Sequence, residues 1–213
     1  MTSTKVAICI PSRGDWKSYF ALSLIRMLHT TGGIEFEIFI AHGAILPANR
    51  HTLVEQRALA AKASHVLFLD DDMVFHRDLL KRLLSHEVDV VGAVYPDRRS
   101  LKPQSICWES RAKPLETVRP DEKRGLMRVE AIGTGALLIR TGVFQRIEPP
   151  WFLFTYFADA RRYGSEDFFL CDRLRQAGVP IHADPSIRVG HIGDHVFSFL
   201  GGDSEVVLPQ ILG

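Results

Sequence analysis

The sequence predicts an α/β protein of one domain, with a mainly parallel central sheet and helices on both of its faces. Three observations carry this. Strand-like and helix-like hydrophobic patterns alternate along most of the chain, as βαβ units require. The run Val66-Leu67-Phe68-Leu69 has no polar position, as a buried strand would, and leads directly into Asp70-Asp71-Asp72. The chain has 213 residues, 46% hydrophobic and 24% charged, enough for one substantial core.

Residues 6–10 form a short apolar run stopped by Pro11-Ser12-Arg13-Gly14. Residues 16–28 follow with helical spacing at Phe20, Leu24, Ile25 and Leu28. Residues 35–41 alternate Phe36, Ile38 and Ile40 with polar positions, Phe39 departing from the pattern, and His42-Gly43 ends that strand. Residues 53–63, rich in Ala and Leu, read as a helix feeding the strand at Val66. Asp78 is placed to cap a helix over 79–84, and the apolar run 88–94 is the next strand.

The rhythm breaks over 97–128. Arg98, Arg99, Lys102, Arg111, Lys113, Arg119, Lys123, Arg124 and Arg128 crowd this stretch, offset by Asp97, Glu109, Glu116, Asp121 and Glu122. It reads as a solvated excursion or as a flap whose cations meet an anionic ligand. Order returns with Ala131-Ile132-Gly133-Thr134-Gly135-Ala136-Leu137-Leu138-Ile139, a strand whose glycines mark a bulge, a tight contact or a close approach to the backbone. A helix near 143–146 follows. Gly164-Ser165-Glu166-Asp167 opens an amphipathic helix that Gly178 stops, and residues 179–183 and 187–189 are short strands before Gly190-His191-Ile192-Gly193. A C-terminal tail begins at about 194.

Composition excludes several classes. No apolar run approaches the roughly 20 residues that cross a bilayer, and the first residues lead into a strand without a signal-peptide pattern. The expectation is a cytoplasmic protein without an integral membrane segment. A formal net charge of +1 gives no global electrostatic footprint for nucleic acid. Cys9, Cys107 and Cys171 are odd in number and widely separated, which supports neither a disulfide framework nor a zinc site. Cys9 and Cys171 read as core residues.

Three consecutive carboxylates at the end of a buried strand repel one another, and a divalent cation is the usual relief. One acid would serve as a turn or cap residue; a cap needs only one. Glu166-Asp167 at a helix start suits the helix dipole, with Ser165 as N-cap, yet a carboxylate there could also be a general base. His191 sits between apolar and glycine residues near the end of the chain, as a structural histidine or a metal ligand.

In this order and spacing the motifs resemble the nucleotide-diphosphate-sugar glycosyltransferases of the GT-A fold (Rossmann-like), in particular small family 2-like members, over nearly the whole chain to about residue 194. The resemblance implies that Pro11, Ser12 and Arg13 form a donor-binding turn and that Asp70-Asp71-Asp72 is the Asp-x-Asp motif. Asp72 is then a metal ligand, Asp70 lies near ribose or metal, and Asp71 belongs to the donor site. It implies an acceptor loop at Gly133-Thr134-Gly135, a catalytic pair at Glu166-Asp167 and a late metal ligand at His191. Asp167 is the first choice of base and Glu166 the second. Arg50, like Arg13, is a candidate contact for the base or diphosphate of the donor. Trp151, in the aromatic segment 149–157, is a candidate acceptor platform, alongside a core or subunit-contact role. The implied cofactor is Mn²⁺ or Mg²⁺. The implied partners are a nucleotide-sugar donor and a hydroxyl acceptor, whether glycan, small molecule, protein or modified nucleic acid.

The chain departs from that family in carrying His42-Gly43 where many members have an acid that reads uracil, and in lacking the Gln-x-x-Arg-Trp motif and membrane helices of processive synthases. Transfer of single sugars is the expectation. A nucleotidyltransferase is the alternative enzyme, although Pro11-Ser12-Arg13-Gly14 is a poor phosphate loop. A non-catalytic nucleotide-sugar or glycan-binding protein is the alternative without turnover. The sequence leaves a homodimer open.

Overall fold

A computed structural model describes residues 4–98, 104–112, 116–121, 124–193 and, for the backbone alone, 196–197. The first half runs β1 (Lys5–Ser12), α1 (Ser18–Thr30), β2 (Glu35–His42), α2 (Leu46–Thr52), β3 (His65–Leu69), β4 (Met73–Phe75), α3 (Leu79–Ser85) and β5 (Val90–Val94). Helix α2 continues without a break into a π-helical stretch, Leu53–Leu59. Then come β6 (Cys107–Ser110), β7 (Glu116–Thr117), β8 (Met127–Val129), β9 (Ala131–Ile132), β10 (Ala136–Arg140) and α4 (Thr141–Arg146). The chain closes with β11 (Thr155–Phe157), β12 (Arg162–Gly164), α5 (Glu166–Gln176), β13 (Ile181–Ile192) and β14 (Val196–Phe197).

The central sheet has the order β14-β13-β5-β10-β3-β1-β2. β2, β1 and β3 pair in parallel, and β5 pairs in parallel with β13; β10, antiparallel to both β3 and β5, is the reversed strand between them. The fold is therefore mixed α/β with a mainly parallel sheet. Alternate residues of each strand feed two separate cores. Val6, Ile8 and Ile10 of β1 pack with Phe20, Leu24 and Met27 of α1 and with Leu79, Leu80 and Leu83 of α3. Ala7 and Cys9 face the other way, into a core with Leu53 and Val54, Val143 and Phe144 of α4, and Leu170 and Leu174 of α5. This period-two division is what puts helices on both faces.

The structure departs from the sequence expectations in four places. The helix expected over 53–63 begins seven residues earlier, at Leu46, with Pro47 in its first turn; buried Asn49 and Arg50 interrupt the apolar spacing that marks a helix in sequence. The two short strands expected after α5 are one, β13, with an irregularity between Asp184 and Arg188. The excursion 97–128 is not simply solvated, because β6 pairs with both β7 and β9, and Cys107 of β6 and Val118 after β7 enter the core. Finally, the alternation read over 35–41 marks a strand but not a buried face: Ile38 and Ile40 are exposed on β2, the edge strand. Among the described residues no helix is long and apolar enough to cross a membrane.

Candidate active site

Parallel β1, β3 and β5 end on the same side of the sheet, where open α/β sheets hold their ligands. The acid run leaves β3 there, and its next three residues, β4, turn to pair antiparallel with the far end of β13: Val189 lies opposite Phe75, Gly190 opposite Val74 and His191 opposite Met73. Ile192 N–H donates to the Asp72 carbonyl at 2.7 Å. Backbone pairing thus brings the late histidine beside the third acid.

Asp72 and His191 are both buried, with His191 Nε2 3.5 Å from Asp72 Oδ2. His191 Nδ1 lies 3.0 Å from the Pro96 carbonyl, which only accepts, so Nδ1 carries a proton and this bond orients the ring with Nε2 toward Asp72. A metal-binding histidine is commonly oriented in this way by its other nitrogen. The Arg98 guanidinium donates to Asp72 Oδ2 at 2.6 Å and to the Ile192 carbonyl at 3.1 Å. Asp72 Oδ1 is buried without a partner. Burial pushes the Asp72 carboxyl up, but His191 and Arg98 outweigh it, and the group sits below the usual carboxylate range.

Asp70, two residues earlier, belongs to a different cluster. Both its oxygens accept from Arg50 Nη2, at 2.8 and 3.1 Å, and Arg50 Nε donates to Glu166 Oε1 at 3.2 Å. Arg50 is 1% exposed, and its guanidinium lies 5.5 Å from the centre of the Phe68 ring. Burial lowers the arginine's affinity for its proton, but Asp70 and Glu166 more than restore it, so the guanidinium stays charged. Glu166 is pushed up to about 7 by burial and by Asp167, against the pull of Arg50. Asp167, on the next position of the α5 first turn, is half-buried and makes no hydrogen bond with the described residues. Ser165 occupies the N-cap position of α5 but forms no side-chain cap bond.

Asp71 faces the β1 turn. Ser12 Oγ donates to Asp71 Oδ2 at 2.7 Å and accepts from Gly14 N–H at 3.0 Å. Burial raises the Asp71 carboxyl, with Ser12 opposing. Pro11 and Ser12 are buried at the end of β1, while Arg13 is exposed.

Several expected site residues need correction. Arg50 is buried between two carboxylates and a phenyl ring, with only its Nη1 left without a hydrogen-bond partner among the described residues. Trp151 is in the core: its ring stacks on His51 at 4.9 Å, meets Phe144 at 5.3 Å, and its Nε1–H donates to the Ile147 carbonyl. The exposed aromatic side chains nearby are instead Phe154, Tyr156, Phe157 and Tyr163, on and beside the β11–β12 hairpin that leads into α5. Gly133, Thr134 and Gly135 are buried rather than forming an open acceptor loop. Their glycines make room for Tyr95: a Cβ on Gly133 would lie 2.2 Å from the Tyr95 hydroxyl, and one on Gly135 would lie 2.9 Å from it. That hydroxyl accepts from Gly135 N–H at 2.8 Å, while Asp70 N–H donates to the Gly135 carbonyl at 3.1 Å. Close approach to the backbone, one of the sequence readings of these glycines, is what the structure holds.

Sequence reasoning missed Tyr95, the Arg50–Glu166 link and the pairing of Arg98 with Asp72. The glycine spacing at 133–135 pointed to a close neighbour without saying which. Arg98 carried no signal beyond its membership of a basic stretch. Among the described residues no three His, Cys, Asp or Glu side chains converge as a metal-binding group. What the fold assembles is the pair Asp72–His191.

No family model and no curated protein matches the sequence. In structure the chain is similar to A197 from STIV, with 18% identity and a TM-score of 0.60 over 91% of this chain and 89% of that one. This establishes a shared fold. Weaker likenesses are to GalNAc-T7, solved with UDP, GalNAc and Mn²⁺, at 15% identity and a TM-score of 0.46 over 97% of this chain and 46% of that one. The third is S. aureus TarS 1-349 in complex with UDP-GlcNAc, at 11% identity and a TM-score of 0.45 over 84% and 55%.

Proposed function

We propose that this chain is a metal-dependent glycosyltransferase of the GT-A type, moving one sugar from a nucleotide-diphosphate sugar to a hydroxyl acceptor. One observation carries the reading: at the carboxyl ends of the parallel strands, Asp72 has a buried Oδ1 without a hydrogen-bond partner among the described residues, beside a histidine that the Pro96 carbonyl orients through Nδ1 with Nε2 toward Asp72. An orphaned carboxylate oxygen and an oriented imidazole suit a divalent cation, and a site with few protein ligands is the kind that substrate phosphates complete. Asp72 and His191 would hold Mn²⁺ or Mg²⁺, and the ion when bound supplies stabilisation of the charge that develops on the leaving diphosphate. The oxygen and imidazole donors favour Mn²⁺ somewhat.

The remaining chemistry belongs to the chain. Asp167 takes the proton from the acceptor hydroxyl, because it is a carboxylate without competing hydrogen bonds among the described residues. Glu166 is tied to Arg50 and orients the first turn of α5. Asp70 holds Arg50 from the donor side, so the two acidic motifs share one buried cation. Ser12 fixes Asp71 and shapes the turn after β1 against the donor. The exposed aromatic side chains of the β11–β12 hairpin, rather than Trp151, are the surface on which an acceptor rests before Asp167.

The test is incubation of the protein with Mn²⁺ and a panel of nucleotide sugars, reading release of nucleoside diphosphate with an acceptor panel present. Release with a donor, lost in Asp72→Ala, supports the transferase. Pyrophosphate from a nucleoside triphosphate and a sugar phosphate would replace this reading with a nucleotidyltransferase. Saturable donor binding with no turnover across the acceptor panel would replace it with a binding protein.

A further inference from the structure

Arg98 stands where a divalent cation would have to act. Its Nη1 is 2.6 Å from Asp72 Oδ2, the same oxygen that lies 3.5 Å from His191 Nε2, and Nη1 also reaches the Ile192 carbonyl at 3.1 Å. The two carboxylate oxygens thus differ: Oδ2 is paired with a guanidinium, and Oδ1 is buried with no hydrogen-bond partner among the described residues. The burial of the three side chains differs too. Those of Asp72 and His191 are 12% and 11% exposed, held by the pairing of β4 with β13, whereas the Arg98 side chain is 44% exposed. Asp72 and His191 are therefore fixed, and Arg98 is the member that solvent already reaches.

A cation held by Asp72 and His191 would lie within a few ångströms of the Arg98 charge. Like charges a few ångströms apart at a protein surface repel by more than an ion pair with a solvent-exposed arginine contributes. The balance favours departure of the arginine over coexistence. We propose that Arg98 is the resident counter-ion of Asp72, a positioning residue that holds the carboxylate in place and that a divalent cation displaces on binding. The proposal rests on the reading of Asp72 and His191 as the metal pair. It deepens that reading by making metal affinity depend on a residue that is not a ligand.

The exchange predicts that removing the guanidinium strengthens metal binding. Free Mn²⁺ is counted by electron paramagnetic resonance during titration of the full chain, at constant ionic strength and without any sugar donor. Arg98→Gln is expected to bind Mn²⁺ on the order of fivefold more tightly than the unmodified chain, the factor that the loss of one exposed ion pair yields. Arg98→Lys, which keeps the charge, should fall between the two and serves as the second variant if Gln disturbs folding. Lys81→Gln removes a charge from the exposed face of α3 and should change nothing. Asp72→Asn should abolish binding. Equal affinity in Arg98→Gln and the unmodified chain, or weaker affinity in Arg98→Gln, overturns the exchange while leaving the metal pair standing. If neither protein binds Mn²⁺, the exchange and the metal reading fall together.

Discussion

Asp70 and Asp72 are two residues apart on one turn, yet the fold gives them opposite surroundings. Asp70 is tied to Arg50, a fully enclosed cation that also holds Glu166 from a sequence distance of 116 residues. Asp72 is tied to Arg98, a half-exposed cation, and keeps one oxygen unpaired. The first arrangement is closed: a buried arginine with two carboxylates can lose no member without stranding charge. The second is open, because its arginine is half-exposed and can leave. The difference separates a site that holds the architecture together from one that exchanges ligands.

The sharpest way to break the comparison is Arg50→Leu. It leaves buried Glu166 and partly buried Asp70 without a counter-charge, and unfolding in urea should show a loss of about 3–5 kcal/mol. A loss under 1 kcal/mol would mean that the closed cluster is as dispensable as a surface pair. Next, Asp72→Ala should reduce metal-dependent turnover by about a hundredfold or more while unfolding changes much less than in Arg50→Leu. Equal damage to both readouts would erase the distinction between the clusters.

The two clusters also carry opposite pH signatures. The Glu166 carboxyl, ordinarily near 4.5, is raised to about 7 by burial. Between those values the folded protein retains a proton that the unfolded chain has released, so the stability this group lends below pH 4.5 is lost as pH rises toward 7. Asp72 behaves the other way. Its folded value lies below the ordinary 3.8, so its contribution is present above pH 3.8 and is lost as pH falls through the lowered value. Stability measured by urea unfolding across pH 3–8 should therefore lose its decline between about 4.5 and about 7 in Glu166→Gln. Asp72→Asn should leave that window alone and flatten the acid limb. An unaltered slope in Glu166→Gln would assign the window to another group.

The smallest effect is expected at the middle acid. Ser12→Ala removes the hydroxyl that donates to Asp71 and accepts from Gly14, and it should cost about 1 kcal/mol without changing Mn²⁺ binding. A change in Mn²⁺ affinity would draw Asp71 into the open cluster.

Much of the fold was legible in the sequence, because burial on alternate sides of a strand leaves a readable pattern. β1, β2, β3 and β5, the amphipathic α1 and the start of α5 fall where the hydrophobic periodicity puts them. α2 did not, because Arg50 and Asn49 are polar residues at buried positions, and a burial satisfied by distant partners leaves no local trace. Trp151, read either as core or as acceptor platform, is core, and the two readings were inseparable in sequence for the converse reason. An aromatic residue beside an acidic motif has the composition of a binding platform, and only packing against His51 and Phe144 reveals a core residue. The same segment continues into exposed Tyr156 and Tyr163, so the aromatic signal was real but fell on the wrong ring.

By itself the sequence determined the order of elements, the apolar strand that ends in Asp70-Asp71-Asp72, and the glycines that let Tyr95 approach the backbone. Those properties are local: they follow from side-chain period, turn chemistry and the absence of a Cβ. Which acid meets which cation was decided only in three dimensions. Antiparallel pairing of β4 with the end of β13 carries His191 to Asp72, and the packing of α2 against Phe68 places Arg50 between Asp70 and Glu166. One residue of rise along the chain turns neighbouring side chains to different sides, so three identical acids acquire three different partners once distant segments close around them.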